Sequence, residues 1–406
     1  MEDRGRTPAQ EEDTAMGPSG AHGRAVGSRR RRRAAGGDVA RRRVLGWGIG
    51  AVVTAVLAWV GVLVHRWFQR EVVGVGPRAI ASREDMTIFS GFRYAQQAGQ
   101  GGVMDVYVPR GEGPFPVLMW TYGSGWTSDR GNVGGERIAE ALIPHGYAVA
   151  AFSVRNSGQG RFPSHVHDAK AAVRWLRAYA ADLKLDRERI AMGGNSSGGW
   201  IAMMTGVTAG LPRFEGQVGG VWDRPSDVQA VVNFFAPIDF LTMDGQMLPG
   251  ACKSFNKGLG ITECHSDAEG FESRMLGVPV KENPQLVHEA SPRTYIGSRT
   301  PPTLIVHGTR DTVVPHQQSR DLYDDLVRAD VPSVFYEVHG AGHVVDLARD
   351  TAVTTSTVHQ HRVPLAGRRE HFSWDAVAAF LDVQMPVAAA PGQTGPQRVG
   401  PSSPSS

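Results

Sequence analysis

Three residue types, far apart in the chain, have the makings of one reactive site. Gly194-Asn195-Ser196-Ser197-Gly198 follows an apolar run, RIAMG (189–193), and opens a helical pattern, SGGWIAMMTG (197–206). A strand, a tight turn and then a helix hold a serine hydroxyl exposed, with small neighbours on each side and a helix N-terminus beneath it. A serine hydroxyl needs a base to become a nucleophile, and the base needs an orienting carboxylate. Asp311, in PTLIVHGTRDTVVP (302–315), and His343, in FYEVHGAGHVV (335–345), each fall in a loop just past a strand-like run. Ser196 as nucleophile, His343 as base and Asp311 as acid would perform acyl transfer. Rivals exist for two of the roles: His339, His307, His165 and His167 for the base, Asp239 and Asp346 for the acid. The loop Tyr122-Gly123-Ser124-Gly125-Trp126, directly after the apolar run 116–121, is small enough to turn backbone N–H groups toward an oxyanion.

Those residues need a scaffold that ends several strands at one edge. Strand-like runs occupy 86–94, 103–108, 116–121, 147–154, 189–193, 228–235, 302–307 and 333–338. Helical patterns lie between several of them, at 133–143, 164–181, 197–209 and 315–329, and a last one spans 372–383. This alternation predicts an α/β fold, a mostly parallel sheet with helices on both faces, over 85–384. Residues 239–298 break the alternation and read as a cap-like insertion over the C-terminal edge of the strands. A second insertion, 346–371, has no regular pattern, and 385–406 is a Pro, Gly, Ala and Ser tail.

The chain has 406 residues, 41% of them hydrophobic, with 50 glycines and 25 prolines, which excludes a disordered protein or a coiled coil. The net charge of +3 is uneven: residues 1–43 carry 11 arginines and 6 acidic residues, so the remainder is slightly negative. Nucleic-acid binding by the main domain therefore has no support. Residues 1–43 have no apolar period and read as a disordered basic tail. Val44 to Val64 is 21 residues without a charge, enough for a helix to span the ~30 Å bilayer core, and 65–84 reads as a stalk. Eight arginines in 29–43, against Arg66 and Arg70 beyond the run, predict a cytoplasmic N-terminus and an extracellular main domain on a single-pass anchor. A signal peptide that is cleaved to secrete the protein is the alternative.

The only two cysteines, Cys252 and Cys264, lie 12 residues apart in the cap-like insertion, where an outward topology favours a disulfide. With His265 they are too few and wrongly spaced for a metal site, and no cofactor is called for.

Longer stretches carry a resemblance. MDVYVP (104–109), YGSGW (122–126), VRNSGQGRFPSHVHDAKAAVRWLR (154–177), GGNSSGG (193–199), ENPQLVHEASPRTYI (282–296), PPTLIVHGTRDTVVPHQQS (301–319) and GAGH (340–343) are similar to the α/β-hydrolase superfamily. The branch is that of secreted carboxylesterases, hormone-sensitive-lipase-like and bacterial feruloyl-esterase-like, and the chain order serine, aspartate, histidine agrees with it. The resemblance implies a Ser196, Asp311, His343 triad, oxyanion donors at Ser124, Gly125 and Ser197, and a small-molecule or saccharide ester as substrate. Trp126 and Trp200 flank the motifs and are expected at the pocket. The family's loop usually reads His-Gly-Gly-Gly-Trp, so Tyr122 and Ser124 depart from it. Tyr122 opens two readings: loop support, or the oxyanion-binding hydroxyl of a prolyl-oligopeptidase-like peptidase. A hydrolase fold kept as a catalytically silent binding module is the third alternative.

Overall fold

Central strand runs in this chain, such as VLMW (117–120) and AVAAF (148–152), are continuously apolar rather than alternating, which is what burial on both faces of a sheet requires. The computed structural model describes residues 81–345, 355–363, 365 and 371–386. The basic tail 1–43, the apolar run 44–64, residues 65–80 of the stalk, Asp346 and the C-terminal tail beyond 386 lie outside the described residues. Among the described residues, no helix is long and apolar enough to cross a membrane.

Among the described residues, ten strands form one mixed sheet in the order β1-β2-β3-β5-β4-β6-β7-β8-β9-β10. They are β1 (Ala81–Ser82), β2 (Met86–Arg93), β3 (Val103–Pro109), β4 (Phe115–Thr121), β5 (Ala148–Phe152), β6 (Leu185–Asn195), β7 (Ala230–Phe234), β8 (Thr303–Gly308), β9 (Ser333–Val338) and β10 (Ser356–His361). The stretch from β5 to β9 is parallel, and antiparallel pairs close both edges. Each of the eight expected runs is a strand. Two strands were not expected: β1 lies in the stretch read as stalk, and β10, in the 346–371 insertion, pairs antiparallel with β9.

The flanking helices are α1 (Gly135–Leu142), α2 (Ser164–Tyr179), α3 (Ser197–Val207), α4 (Ala251–Leu259), α5 (Phe271–Leu276), α6 (Pro284–Ala290), α7 (Gln317–Arg328) and α8 (Trp374–Gln384). Side chains alternate between faces along each strand, so successive residues enter different cores. Val117 and Met119 of β4 pack with Val166, Trp200 and Leu322 of α2, α3 and α7. Leu118 and Trp120 pack on the other face with Ile138 and Leu142 of α1 and Val377 and Leu381 of α8. Helix α3 is buried all round, in keeping with its lack of a polar face.

Strand order places the site. From β4 the chain moves outward to β5 and then returns to lay β6 against the other side of β4. Such a reversal opens a crevice at the C-terminal ends of the two strands. Thr121 of β4 is paired with Gly194 of β6, so the 122–126 loop and Ser196 leave the sheet side by side.

Candidate active site

Ser196 has φ 54° and ψ −129°, a conformation rarely adopted by any residue but glycine. Such a residue carries a cost of about 1–3 kcal/mol that the surroundings must offset. Its N–H donates to the Phe234 carbonyl at 2.9 Å, and its own carbonyl accepts the Trp200 N–H at 3.1 Å as α3 begins. A Cβ on Gly198 would sit 2.1 Å from the Thr121 carbonyl oxygen, so only glycine lets α3 start this close to β4. The first N–H groups of α3, Ser197's among them, have no acceptor within the helix.

Asp311 follows β8 and is fully buried. One carboxylate oxygen accepts the backbone N–H groups of Val313 (2.8 Å) and Val314 (3.0 Å). The other lies 2.7 Å from His343 Nδ1 and 3.2 Å from His307 Nε2. Burial pushes this carboxyl up, but the hydrogen bonds from His307 and His343 outweigh it and hold it well below the usual carboxylate range. The Phe235 ring packs against the His343 imidazole with centroids 4.5 Å apart. Ser196 and His343 line one cavity of about 240 Å³, with the 123–126 loop on one side and Pro237, Val313 and Val314 on another.

The expected rivals lie elsewhere. His339 Nε2 meets the Thr357 hydroxyl, and His167 Nε2 meets the Arg213 carbonyl. His165 is fully buried, and neither of its ring nitrogens has a hydrogen-bond partner among the described residues. Asp239 lines a separate hollow of about 530 Å³, where it faces Arg293 at 3.5 Å. His307 proves to be a partner of the acid: its Nδ1 meets the Ser319 hydroxyl at 2.7 Å while Nε2 faces Asp311.

The 122–126 loop is tied to the serine turn by side chains. Ser197 Oγ accepts the N–H of Ser124 (2.9 Å) and of Trp126 (3.4 Å), and Asn195 Oδ1 accepts that of Gly123 (3.3 Å). Ser124, expected as an oxyanion donor, thus has its N–H engaged by the Ser197 hydroxyl. The left-handed positions fall on Gly125 (φ 60°) and Trp126 (φ 57°), so a serine at 124 meets no left-handed strain. Gly123, which the sequence did not single out, lies directly against Ser196: a Cβ there would be 2.7 Å from that of Ser196.

Tyr122 donates its hydroxyl to the Gly134 carbonyl at 3.2 Å, and its ring packs edge-on to Trp120. This is the loop-support arrangement. Trp126 lines the cavity, but Trp200 does not. Trp200 is wholly buried behind it, edge-on to Trp126 and Phe162, with its indole N–H on the Ala290 carbonyl at 2.8 Å. The expectation of a pocket residue is corrected here: at the second turn position of a helix buried all round, a large aromatic becomes core.

The cap supplies the remaining wall. Cys252 and Cys264 are joined in a disulfide, Cα atoms 5.3 Å apart, which fastens α4 to the turn Cys264–Ser266. Asp244 lies near both sulfurs, but sulfurs bonded to each other offer no thiolate to a metal. His265 in that turn and Phe271 and Glu272 of α5 line the cavity. His265 entered the sequence reading only as part of a rejected metal cluster, and no local pattern marks it.

A serine on a strained strand-to-helix turn, with a histidine and an aspartate from the ends of two later parallel strands, defines the α/β-hydrolase class. The BD-FAE family model matches residues 104–326, more than half of the chain, and the chain belongs to that family. Esterase LipC of Mycobacterium tuberculosis (strain H37Rv) is 28% identical over 247 residues, covering 61% of this chain and 57% of LipC. The same organism's "Probable carboxylic ester hydrolase LipM" is 30% identical over 240 residues, 58% of this chain and 50% of LipM. The chain thus spans about half the length of these curated relatives. Among solved structures, a truncated form of carbohydrate esterase from gut microbiota superposes with a TM-score of 0.57 at 29% identity, covering 66% of this chain and 92% of that one.

Proposed function

We propose that this protein is a serine carboxylesterase working through Ser196, His343 and Asp311. The observation that carries the reading is the 2.7 Å contact between His343 Nδ1 and buried Asp311, with Ser196 on the same cavity. With Nδ1–H held by the carboxylate, Nε2 is the nitrogen free to take a proton. His343 Nε2 removes the Ser196 proton as Oγ bonds to the ester carbonyl carbon. The N–H groups of Ser197 and Gly125 hold the oxyanion, those of Gly123 and Ser124 being engaged by Asn195 and Ser197. Collapse breaks the carbon–alkoxide bond, and the imidazolium gives its proton to the departing alcohol. Water, deprotonated by the same nitrogen, then attacks the acyl-enzyme and releases the acid. The named relatives are esterases, which supports ester rather than amide bonds, and the Tyr122 hydroxyl's bond to the Gly134 carbonyl favours loop support over the peptidase reading.

The expected substrates are small-molecule or saccharide esters, and the likeness to a carbohydrate esterase supports including acetylated sugars in a substrate panel. Ser196→Ala should abolish p-nitrophenyl acetate hydrolysis in a protein that still folds; undiminished turnover would remove the assignment.

A single-pass anchor at 44–64, with the catalytic domain outside the cell, is part of this proposal. It is supported by the uncharged run, the arginines before it and a disulfide suited to an oxidising compartment. The full chain should sediment with membranes and be released by detergent but not by high salt. Release by salt alone would refute the anchor.

A further inference from the structure

The cap reaches the catalytic acid through one buried histidine. His265 is 1% exposed, and both of its ring nitrogens face acceptors: Nδ1 lies 3.0 Å from Glu272 Oε1, and Nε2 lies 2.9 Å from the Val313 carbonyl oxygen. A neutral imidazole has one N–H, so donating to both requires the doubly protonated ring. Burial pushes the His265 pKa down, but the charge and hydrogen bond of Glu272 outweigh it and the net shift is upward.

The Val313 carbonyl shares a peptide plane with the Val314 N–H, and that N–H donates to Asp311 at 3.0 Å. One planar group therefore accepts from the cap at its oxygen and donates to the acid at its nitrogen, and polarisation at one end strengthens the other. The Val313 N–H adds a second bond to the same carboxylate oxygen, leaving the other oxygen for His343. The ring is fixed from outside as well, by Phe255 at a centroid distance of 4.4 Å and by the disulfide at the neighbouring Cys264.

We propose that His265, held by Glu272, is a positioning residue for the esterase reaction: through the Val313–Val314 peptide it sets the Asp311 carboxylate against His343. The proposal rests on the serine-esterase reading above. It makes the cap insertion part of the catalytic apparatus as well as a wall of the cavity.

The two nitrogens can be separated by substitution. Glutamine places its amide where Nε2 is, and asparagine places it where Nδ1 is. His265→Gln keeps a donor for Val313; His265→Asn keeps only the contact with Glu272; His265→Phe keeps the ring volume and its packing on Phe255. With p-nitrophenyl acetate, His265→Asn and His265→Phe should lower kcat by roughly 10- to 100-fold with KM within about threefold, the scale expected for a misplaced catalytic group. His265→Gln should recover most of the loss. Hydrogen exchange of the 312–316 segment should rise in the Asn and Phe variants and stay slow in the Gln variant, a readout independent of turnover. Undiminished kcat in a folded Asn or Phe variant, or a Gln variant as impaired as the other two, overturns the proposal. A Ser196→Ala protein that still turns over substrate overturns the esterase reading, and this one with it. An inactive Ser196→Ala alongside a fully active His265→Asn removes only the positioning role.

Discussion

Asp311→Asn isolates the tautomer on which the proposed chemistry depends. The two backbone N–H groups of Val313 and Val314, at 2.8 and 3.0 Å, need an acceptor, so they select the orientation of the new amide. Its oxygen must take their side, and its NH₂ must take the side now facing His343 and His307. A donor opposite His343 Nδ1 moves the imidazole proton to Nε2, and a protonated Nε2 cannot accept the proton of Ser196. His307 can keep an N–H at Nδ1 for the Ser319 hydroxyl, at the expense of the contact between its Nε2 and the Val314 carbonyl at 3.1 Å. The fold should survive and kcat should fall about 10⁴-fold, equivalent to about 5.5 kcal/mol of transition-state stabilisation. The assay is steady-state hydrolysis of p-nitrophenyl acetate, with thermal melting as the control for folding. The same variant has a stability signature. Asp311 titrates lower in the folded protein than the ordinary value of about 3.9, so its stabilisation is complete above that pH and fades as the pH falls further. The Asn variant should lose stability less steeply than the wild type below about pH 4. Activity within tenfold of wild type would refute the assignment of acid and base together.

Two further outcomes follow from features away from the reaction. His165 is buried without hydrogen-bond partners among the described residues, and burial pushes its pKa down to about 3, with Arg155 and Arg161 adding to the shift. Below about pH 6.5 the unfolded chain takes up a proton there and the folded one does not, so His165→Leu should gain about 2 kcal/mol over wild type on going from pH 8 to pH 5 in urea titrations; an equal effect at both pH values would disprove it. Replacing Cys252 and Cys264 together by serine should cost about 3 kcal/mol of stability in the chain-entropy model, measured by urea unfolding of the oxidised wild type against the variant, and no difference would show that the bond constrains nothing.

Much of the scaffold was legible because it depends on local pattern. A run such as AVAAF in β5 has to be a buried strand, and SGGWIAMMTG after RIAMG has to turn sharply into a helix, whatever surrounds it. Strands β1 and β10 were missed: β10, STVHQH, is polar, and its pairing comes from the edge of β9 that it covers, not from its own composition. Trp200 was misread for a related reason. Its place beside the serine motif marks it as near the site, but the direction a helical side chain takes depends on what packs against the helix.

The sequence alone determined the strand-and-helix order, the strained serine turn and the loops able to carry an acid and a base, because small residues, apolar period and turn chemistry act over a few neighbours. Only the tertiary structure decided that His307 and His343 both serve Asp311, that the Ser197 hydroxyl fastens the 122–126 loop, and that His265 grips the Val313 carbonyl from the cap. Those contacts join residues 32 to 73 positions apart, apart from the short His307 link, and a hydrogen bond is a matter of a few tenths of an ångström. Such precision is set by how the sheet twists and the cap closes over it, which no local stretch of chain encodes.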